Sequence, residues 1–186
     1  DFDRAVDGSL VNIFSNSGQI CIAGSRILVQ RGIAARFVET FVKRTQALRV
    51  GNPLDPKTEV GPMAFKTHWQ RVLDHIEKAK LEGATLLCGG EPLTKLGEGY
   101  FVAPTVFQVN SNRLSLCQEE VFGPVVSIQI FDEDEEAFSL ANDSRFGLVG
   151  YCWTNSLARS QAFRQKVDAG TLWVNTPLAR DLRAPF

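Results

Sequence analysis

The chain of 186 residues has no run of lysine or arginine, and its formal net charge is −1. Proteins whose main partner is nucleic acid or an anionic membrane usually carry a basic tract, so neither is expected here. No stretch approaches the roughly 18 uninterrupted apolar residues of a membrane span. With 44% hydrophobic and 22% charged residues, the composition is that of a globular domain with a sizeable core.

Cysteine is scarce and dispersed, and a glycine-rich nucleotide fingerprint is missing. Cys21, Cys88, Cys117 and Cys152 form no C-x-x-C pair, so we predict no metal site. A chain of this size has core enough without disulfides, and we expect reduced thiols in a cytoplasmic compartment. The glycines of residues 89–99 do not form G-x-G-x-x-G, which leaves no dinucleotide-binding fingerprint.

Segments with helical periodicity alternate with short apolar runs. Helices are predicted over residues 2–14, 33–50, 64–82, 132–142 and 156–168, and extended segments over 27–29, 85–88, 100–109, 125–131, 147–153 and 170–174. This alternation predicts an α/β fold, with three αβα layers around a mostly parallel sheet, in one domain over residues 1–186. His68 and His75 are expected to be exposed. Tyr151, Trp153 and Trp173 are expected to be core aromatic residues on strands.

Cys21 lies on a short turn between the first helix and the first strand, with Gly18 before it and Gly24 after it. Glycine lets a backbone approach another group closely, and such turns often carry reactive side chains. Two interpretations stay open from the residues alone. Cys21 is either a small buried hydrophobic residue or a thiolate nucleophile, and Arg26 is the nearby cation in sequence.

Two motifs resemble those of one enzyme family. Asn16-x-Gly18-Gln19-x-Cys21-x-Ala23-Gly24-x-Arg26 resembles the active-site cysteine motif of the aldehyde dehydrogenase superfamily. The segment 119–125, Glu-Glu-Val-Phe-Gly-Pro-Val, is similar to the segment of that family that contacts the cofactor. The resemblance continues in the same order through the segments 51–56, 61–62, 104–106, 146–148 and 170–175, and so extends over nearly the whole chain.

The resemblance implies a catalytic role for Cys21 in a catalytic-domain fold. Its thiolate would add to an aldehyde, and the thiohemiacetal would be oxidised to a thioester and hydrolysed to the acid. The backbone N–H of Cys21 is suited to donate to the oxyanion. Glu120 is expected to accept hydrogen bonds from the nicotinamide ribose of NAD or NADP, and Phe122 to pack beside the nicotinamide ring. Glu119 is expected to be structural.

The resemblance also implies a loop near residues 175–186 that contacts the substrate. Its predicted contact residues are Asn175, Thr176, Arg180, Arg183 and Phe186. The two arginines are suited to pair with a substrate carboxylate. This string most resembles family members that act on carboxylated semialdehydes, such as hydroxymuconate semialdehydes. The full-length protein is expected to be a homo-oligomer.

Several parts of such an enzyme have no counterpart in these residues. The family's nucleotide-binding domain, general-base glutamate and oxyanion asparagine cannot be assigned, so we expect the chain to be excised from a longer one and inactive alone. Three alternatives stay open. They are a semialdehyde dehydrogenase that transfers the acyl group to coenzyme A, a cysteine-dependent acyl transferase or hydrolase with a nearby histidine, and a non-catalytic remnant in which Cys21 is buried.

Overall fold

The computed structural model describes residues 1–179 and residue 183, and these residues contain six α-helices and six strands. The helices are α1 (Phe2–Phe14), α2 (Arg31–Ala47), α3 (Lys66–Leu81), α4 (Ser115–Gln118), α5 (Asp134–Asn142) and α6 (Leu157–Lys166). The strands are β1 (Arg26–Gln30), β2 (Thr85–Cys88), β3 (Thr105–Val109), β4 (Val125–Phe131), β5 (Val149–Cys152) and β6 (Thr171–Val174).

The strands form a four-stranded sheet in the order β1-β4-β3-β2 and a separate two-stranded sheet of β5 and β6. The pairs β1–β4, β3–β4 and β5–β6 are parallel, which confirms the predicted α/β class and mostly parallel sheet. Strand β2 is antiparallel to β3. Residues 89–104 between them contain a short 3₁₀ turn but no α-helix, whereas the crossover of a parallel pair usually contains one.

Apolar side chains on alternate positions of β3 and β4 build a core on each face of the sheet. Val106, Val126 and Ile128 pack in one cluster with residues of α1 and α2. Phe107 and Val125 pack in a second cluster with residues of α3. Because successive side chains of a strand point to opposite faces, these clusters put helices on both sides of the sheet. The three-layer αβα arrangement predicted from the sequence is confirmed.

Side-chain caps mark the start of two helices, and some other boundaries differ from the predicted ones. The Asp1 side chain accepts a hydrogen bond from the N–H of Arg4, and Ser156 caps α6 in the same way. Helix α2 was expected to reach residue 50, but it ends at Ala47 because Leu48 is extended and Val50 pairs with Val60. Helix α4 was not predicted, since four residues are too short to show a period.

The prediction that His68 and His75 are exposed is wrong. His68 is buried, and the side chain of His75 is only 12% exposed. Both lie on the face of α3 that also carries Val72 and packs against the sheet. Tyr151 and Trp153 are half-buried rather than buried, and Trp153 lies beyond the end of β5, whereas Trp173 is buried. Within the described residues, no helix is long and apolar enough to cross a membrane.

Candidate active site

The turn that carries Cys21 begins with three consecutive residues in the left-handed region. Asn16, Ser17 and Gly18 have φ of 51°, 57° and 71°, and only Ser15 separates them from the end of α1. Side chains other than glycine adopt this region at a cost on the order of 1 kcal/mol or more, which surrounding contacts must offset. These residues reverse the chain abruptly and bring Gln19 and Cys21 to the molecular surface.

Hydrogen bonds from the loop around Pro62 hold this strained segment in place. The hydroxyl of Ser17 donates to the carbonyl of Gly61 at 2.9 Å. The side-chain oxygen of Gln19 accepts from the N–H of Ala64 at 2.9 Å, and its NH₂ group donates to the carbonyl of Pro62. The two segments therefore form one surface.

Cys21 lies at a corner of a tight turn and is exposed. The N–H of Ala23 donates to the carbonyl of Ile20 at 3.0 Å, which closes the turn around Cys21 and Ile22. The N–H of Gly24 donates to the carbonyl of Asn12 at 3.2 Å and ties the end of the turn to α1. Among the described residues, the N–H of Cys21 has no hydrogen-bond acceptor.

The segment from Glu119 to Phe122 lies beside this turn, and its two carboxylates differ. Glu119 accepts a hydrogen bond from Lys78 at 2.8 Å, and this partner lowers the pKa of the Glu119 carboxyl group. Glu120 is exposed and makes no hydrogen bond or ion pair with any residue in the described part of the chain. Glu119 thus has a structural partner, while Glu120 is available to an external donor.

Phe122 is held with its ring partly exposed by a strained backbone. Its φ is 56°, and the residue is 38% exposed. His68 of α3 contacts it twice. The ring centroids lie 6.1 Å apart, and Nε2 of His68 lies 2.7 Å from the carbonyl oxygen of Phe122. Because a carbonyl only accepts, this contact assigns the proton of His68 to Nε2.

Two cavities join the cysteine turn to the 119–122 segment. A pocket of about 30 Å³, room for about one water molecule, is lined by Cys21, Glu120 and Phe122. An open groove of about 1040 Å³ begins beside it and shares Glu120 and Phe122 as a wall. Gln19, His68 and Arg71 also line the groove. Three of the residues predicted from the sequence are therefore brought together.

The four cysteines are free thiols in different environments. Cys21 is exposed, Cys88 and Cys117 are buried, and Cys152 is half-buried. Burial raises the pKa of the Cys88 and Cys117 thiols, and it raises the pKa of Cys152 to about 11. A buried thiol with a raised pKa is a poor nucleophile, so Cys21 is the cysteine best placed to react.

Arg26 does not serve Cys21 as its cation, although it is close in sequence. Its guanidinium donates to Asn112 at 3.0 Å and to the carbonyls of Leu140 and Ala141 at 3.0 and 2.8 Å. These carbonyls belong to the last turn of α5, where helical carbonyls lack intrahelical partners. Arg26 therefore attaches α5 to the sheet.

The predicted substrate loop is only partly described. The Asn175 amide accepts from the N–H of Thr154 at 2.9 Å and donates to the Thr154 carbonyl at 2.7 Å, while the Asn175 backbone has φ of 55°. Asn175 and Thr176 are half-buried and line neither of the two cavities above. Arg183 is exposed. Arg180 and Phe186 lie outside the described residues.

Sequence reasoning missed Gln19 and His68 as residues that shape this site. Gln19 was only part of a motif, and nothing in sequence links it to Ala64, 45 residues away. A signal for His68 was present, since it precedes the core residue Val72 by four positions, which on a helix is the same face.

Comparison with known proteins agrees with the fold and with both motifs. The model of the aldehyde dehydrogenase family matches residues 1–186. The chain is 41% identical to a betaine aldehyde dehydrogenase of Rhizobium etli, over 100% of this chain and 38% of the relative. It is also 41% identical to a 5-carboxymethyl-2-hydroxymuconate semialdehyde dehydrogenase of Escherichia coli, over 100% of this chain and 41% of the relative.

A solved structure extends the comparison to three dimensions. The crystal structure of an indole-3-acetaldehyde dehydrogenase in complex with NAD+ superposes with a TM-score of 0.96 at 38% identity, over 100% of this chain and 38% of that one. The chain is thus an α/β domain that presents an exposed cysteine beside a carboxylate and an aromatic ring. The chain belongs to the aldehyde dehydrogenase family. It spans about 38% of the length of the first curated relatives that it matches.

Proposed function

We propose that the chain is the cysteine-bearing catalytic domain of an NAD(P)-dependent aldehyde dehydrogenase and requires the rest of a longer polypeptide for activity. The observation that carries the proposal is the small pocket lined by Cys21, Glu120 and Phe122, because it joins the two motifs of the family. An aldehyde or semialdehyde would be the substrate, and a carboxylic acid the product.

Cys21 supplies the covalent chemistry. Its thiolate adds to the aldehyde carbonyl carbon, which forms a C–S bond and an oxyanion. The N–H of Cys21 lacks an acceptor among the described residues and donates to that oxyanion. After this thiohemiacetal has given up a hydride to a bound nicotinamide cofactor, water attacks the carbonyl of the resulting thioester, the C–S bond breaks, and the thiolate of Cys21 is released with the acid.

The groove fits the nicotinamide end of the cofactor. The carboxylate of Glu120 is exposed and has no partner among the described residues, which suits it to accept hydrogen bonds from ribose hydroxyls. Phe122 offers an exposed ring against which a planar group can pack. When bound, a nicotinamide cofactor would accept the hydride that converts the thiohemiacetal to the thioester. An NAD+ complex is known for the structurally similar indole-3-acetaldehyde dehydrogenase.

The alternative functions are less well supported. A cysteine hydrolase needs a histidine base, but Nε2 of His68 is already bonded to the carbonyl of Phe122, and His75 contacts Glu119. A non-catalytic remnant predicts a buried Cys21, and Cys21 is exposed. Transfer of the acyl group to coenzyme A uses the same thioester and stays an alternative to hydrolysis.

The decisive experiment uses the complete polypeptide that contains these residues. We expect Cys21→Ser to lower the rate of aldehyde-dependent NAD(P)H formation on the order of 10⁴-fold, because the nucleophile is removed. Cys152→Ser, at a half-buried cysteine, is the matched control and should retain activity. Activity that survives in the Cys21→Ser variant would exclude the proposal, and added coenzyme A tests the acyl acceptor.

The substrate class rests on Arg180 and Arg183, and on the similarity to a semialdehyde dehydrogenase. We propose a carboxylated semialdehyde whose carboxylate pairs with these arginines. Arg183→Ala should reduce the preference for such a substrate over a simple aliphatic aldehyde, whereas the exposed control Arg164→Ala should not. An unchanged preference in Arg183→Ala would refute this assignment.

A further inference from the structure

The turn that presents Cys21 receives a hydrogen bond from a tyrosine distant in sequence. The phenol of Tyr151 donates to the carbonyl of Ile22 at 2.9 Å. Ile22 directly follows Cys21 and is 1% exposed, so its carbonyl belongs to the buried side of the turn. Tyr151 lies on β5, which is part of the smaller sheet and is not paired with β1. The contact therefore connects two sheets at the position of the cysteine.

Trp173 of β6 fixes the ring of Tyr151. The two rings are stacked, with centroids 5.0 Å apart and planes at 13°, and Tyr151 and Trp173 are register partners in the β5–β6 pair. The other edge of the Tyr151 ring lies beside Gly24, where a Cβ would be 3.9 Å from Cδ2 of Tyr151. The phenol therefore has little freedom to leave the carbonyl of Ile22.

The same tryptophan also holds the predicted substrate loop. Its indole N–H donates to the carbonyl of Ala179 at 2.5 Å. The cysteine turn and residues 175–179 thus share one support, made of Tyr151 and Trp173. A shift of either aromatic ring would change the position of the Cys21 turn and of the loop together.

We propose that Tyr151 is a positioning residue that fixes the Cys21 turn through the carbonyl of Ile22, and that Trp173 supports it. Three contacts then define the backbone around the thiol: the Ala23–Ile20 bond, the Gly24–Asn12 bond and the Tyr151–Ile22 bond. The effect on catalysis rests on the proposed function, whereas the effect on the turn itself does not.

The first test measures amide hydrogen exchange at Ala23, whose N–H closes the turn. Tyr151→Phe keeps the ring stack and removes only the hydroxyl, and it should speed exchange at Ala23 about fivefold, as expected for the loss of one neutral hydrogen bond. The control is Tyr100→Phe, at the other tyrosine of the chain, whose ring packs at a tilt against Trp69 of α3. Unchanged exchange at Ala23 in Tyr151→Phe would overturn the proposal.

The second test measures steady-state kinetics in the complete polypeptide. Tyr151→Phe should lower kcat about tenfold and leave the KM for the cofactor unchanged, because a misplaced thiol slows attack without altering the groove. Loss of a residue with a merely structural role would change both kcat and the KM for the cofactor, or neither of them. An unchanged kcat in Tyr151→Phe would overturn the proposed effect of Tyr151 on catalysis. If the unsubstituted polypeptide oxidises no aldehyde, the proposed function fails, and exchange at Ala23 still decides the role of Tyr151.

Trp173→Leu removes the stack while the phenol remains. It should speed exchange at Ala23 about threefold, since the ring of Tyr151 gains freedom. Circular dichroism shows whether Trp173→Leu is folded. If the folded variant has unchanged exchange at Ala23, Trp173 does not support Tyr151.

Discussion

Gly18 and Gly123 are in direct backbone contact, and this contact joins the cysteine turn to the 119–122 segment. A Cβ built on Gly18 would lie 2.0 Å from the carbonyl oxygen of Gly123 and 2.3 Å from its carbonyl carbon. Gly123 is enclosed on another side as well, because a Cβ there would lie 2.7 Å from a methyl group of Val72. Two glycines from separate motifs thus bring Cys21 and Phe122 to one pocket.

Gly18→Ala should be strongly destabilising. The new methyl group collides with backbone, and φ of +71° adds strain, so we expect a loss of about 2–4 kcal/mol in the free energy of unfolding. Gly83→Ala is the matched control, because its φ is +88° and nothing lies within 4 Å of its Cβ position. It should cost about 1 kcal/mol in urea unfolding. Equal losses in the two variants would contradict the close contact.

Cys21 should be the first cysteine to react with iodoacetamide. It is exposed, whereas burial raises the pKa of the other three thiols. Peptide mapping after a short reaction at pH 7.5 should find the label on Cys21 and very little on Cys88 or Cys117. Cys21→Ser should abolish the fast phase. A fast phase that persists in this variant would show that another thiol is accessible.

Arg26→Met should destabilise the chain much more than the same change at Arg31. Arg26 donates to Asn112 and to two carbonyls of α5, and its loss leaves these acceptors unpaired, for an expected cost of about 2–4 kcal/mol. Arg31 forms only a solvent-exposed ion pair with Asp132, which water and salt screen, so its loss should change stability little. Urea unfolding of both variants measures the difference. Similar midpoints would mean that Arg26 does not hold α5.

Helices and strands with a clear period were predictable from sequence. Helix α1 with its Asp1 cap, strand β2 and strand β4 have the predicted bounds, because local chemistry determines them. The pairing of β5 with β6 in a separate sheet was not predictable, since strand pairing depends on contacts between distant segments. The helical period of α3 was predicted correctly. His68 and His75 were nevertheless expected to be exposed, because histidine is a polar residue, although their positions place them on the face of α3 that packs against the sheet.

The candidate site could be predicted only in part from the sequence, because it also depends on contacts between distant segments. Motifs indicated Cys21, Glu120 and Phe122, but the contact of Gly18 with Gly123 joins residues about a hundred positions apart. The left-handed backbone of Ser17 and Phe122 has no signal in sequence, because neither residue type favours it. Tertiary contacts enforce those conformations, so they could be seen only in the fold.

His75 should make stability fall as pH decreases below about 6.5. Burial is the largest cause that lowers the pKa of His75 from its usual 6.5. The carboxylate of Glu119, 3.7 Å away, raises this pKa, and the positive charges of Lys78 and Arg71 lower it further. The unfolded chain then binds a proton on His75 before the folded chain does. Stability from this group is therefore complete above the usual pKa and is lost as pH falls toward the folded value.

The measurement is urea unfolding of the chain between pH 8 and pH 5.5. His75→Gln removes the titrating group, so its unfolding free energy should change less with pH than that of the unsubstituted chain. Glu119 does not contribute to the pH dependence between pH 8 and pH 5.5. Lys78 lowers the pKa of Glu119 below its usual 4.5, so its carboxylate stays charged throughout this range. Parallel pH profiles would exclude His75 as the source, since a proton taken up only on unfolding must appear as a difference in slope.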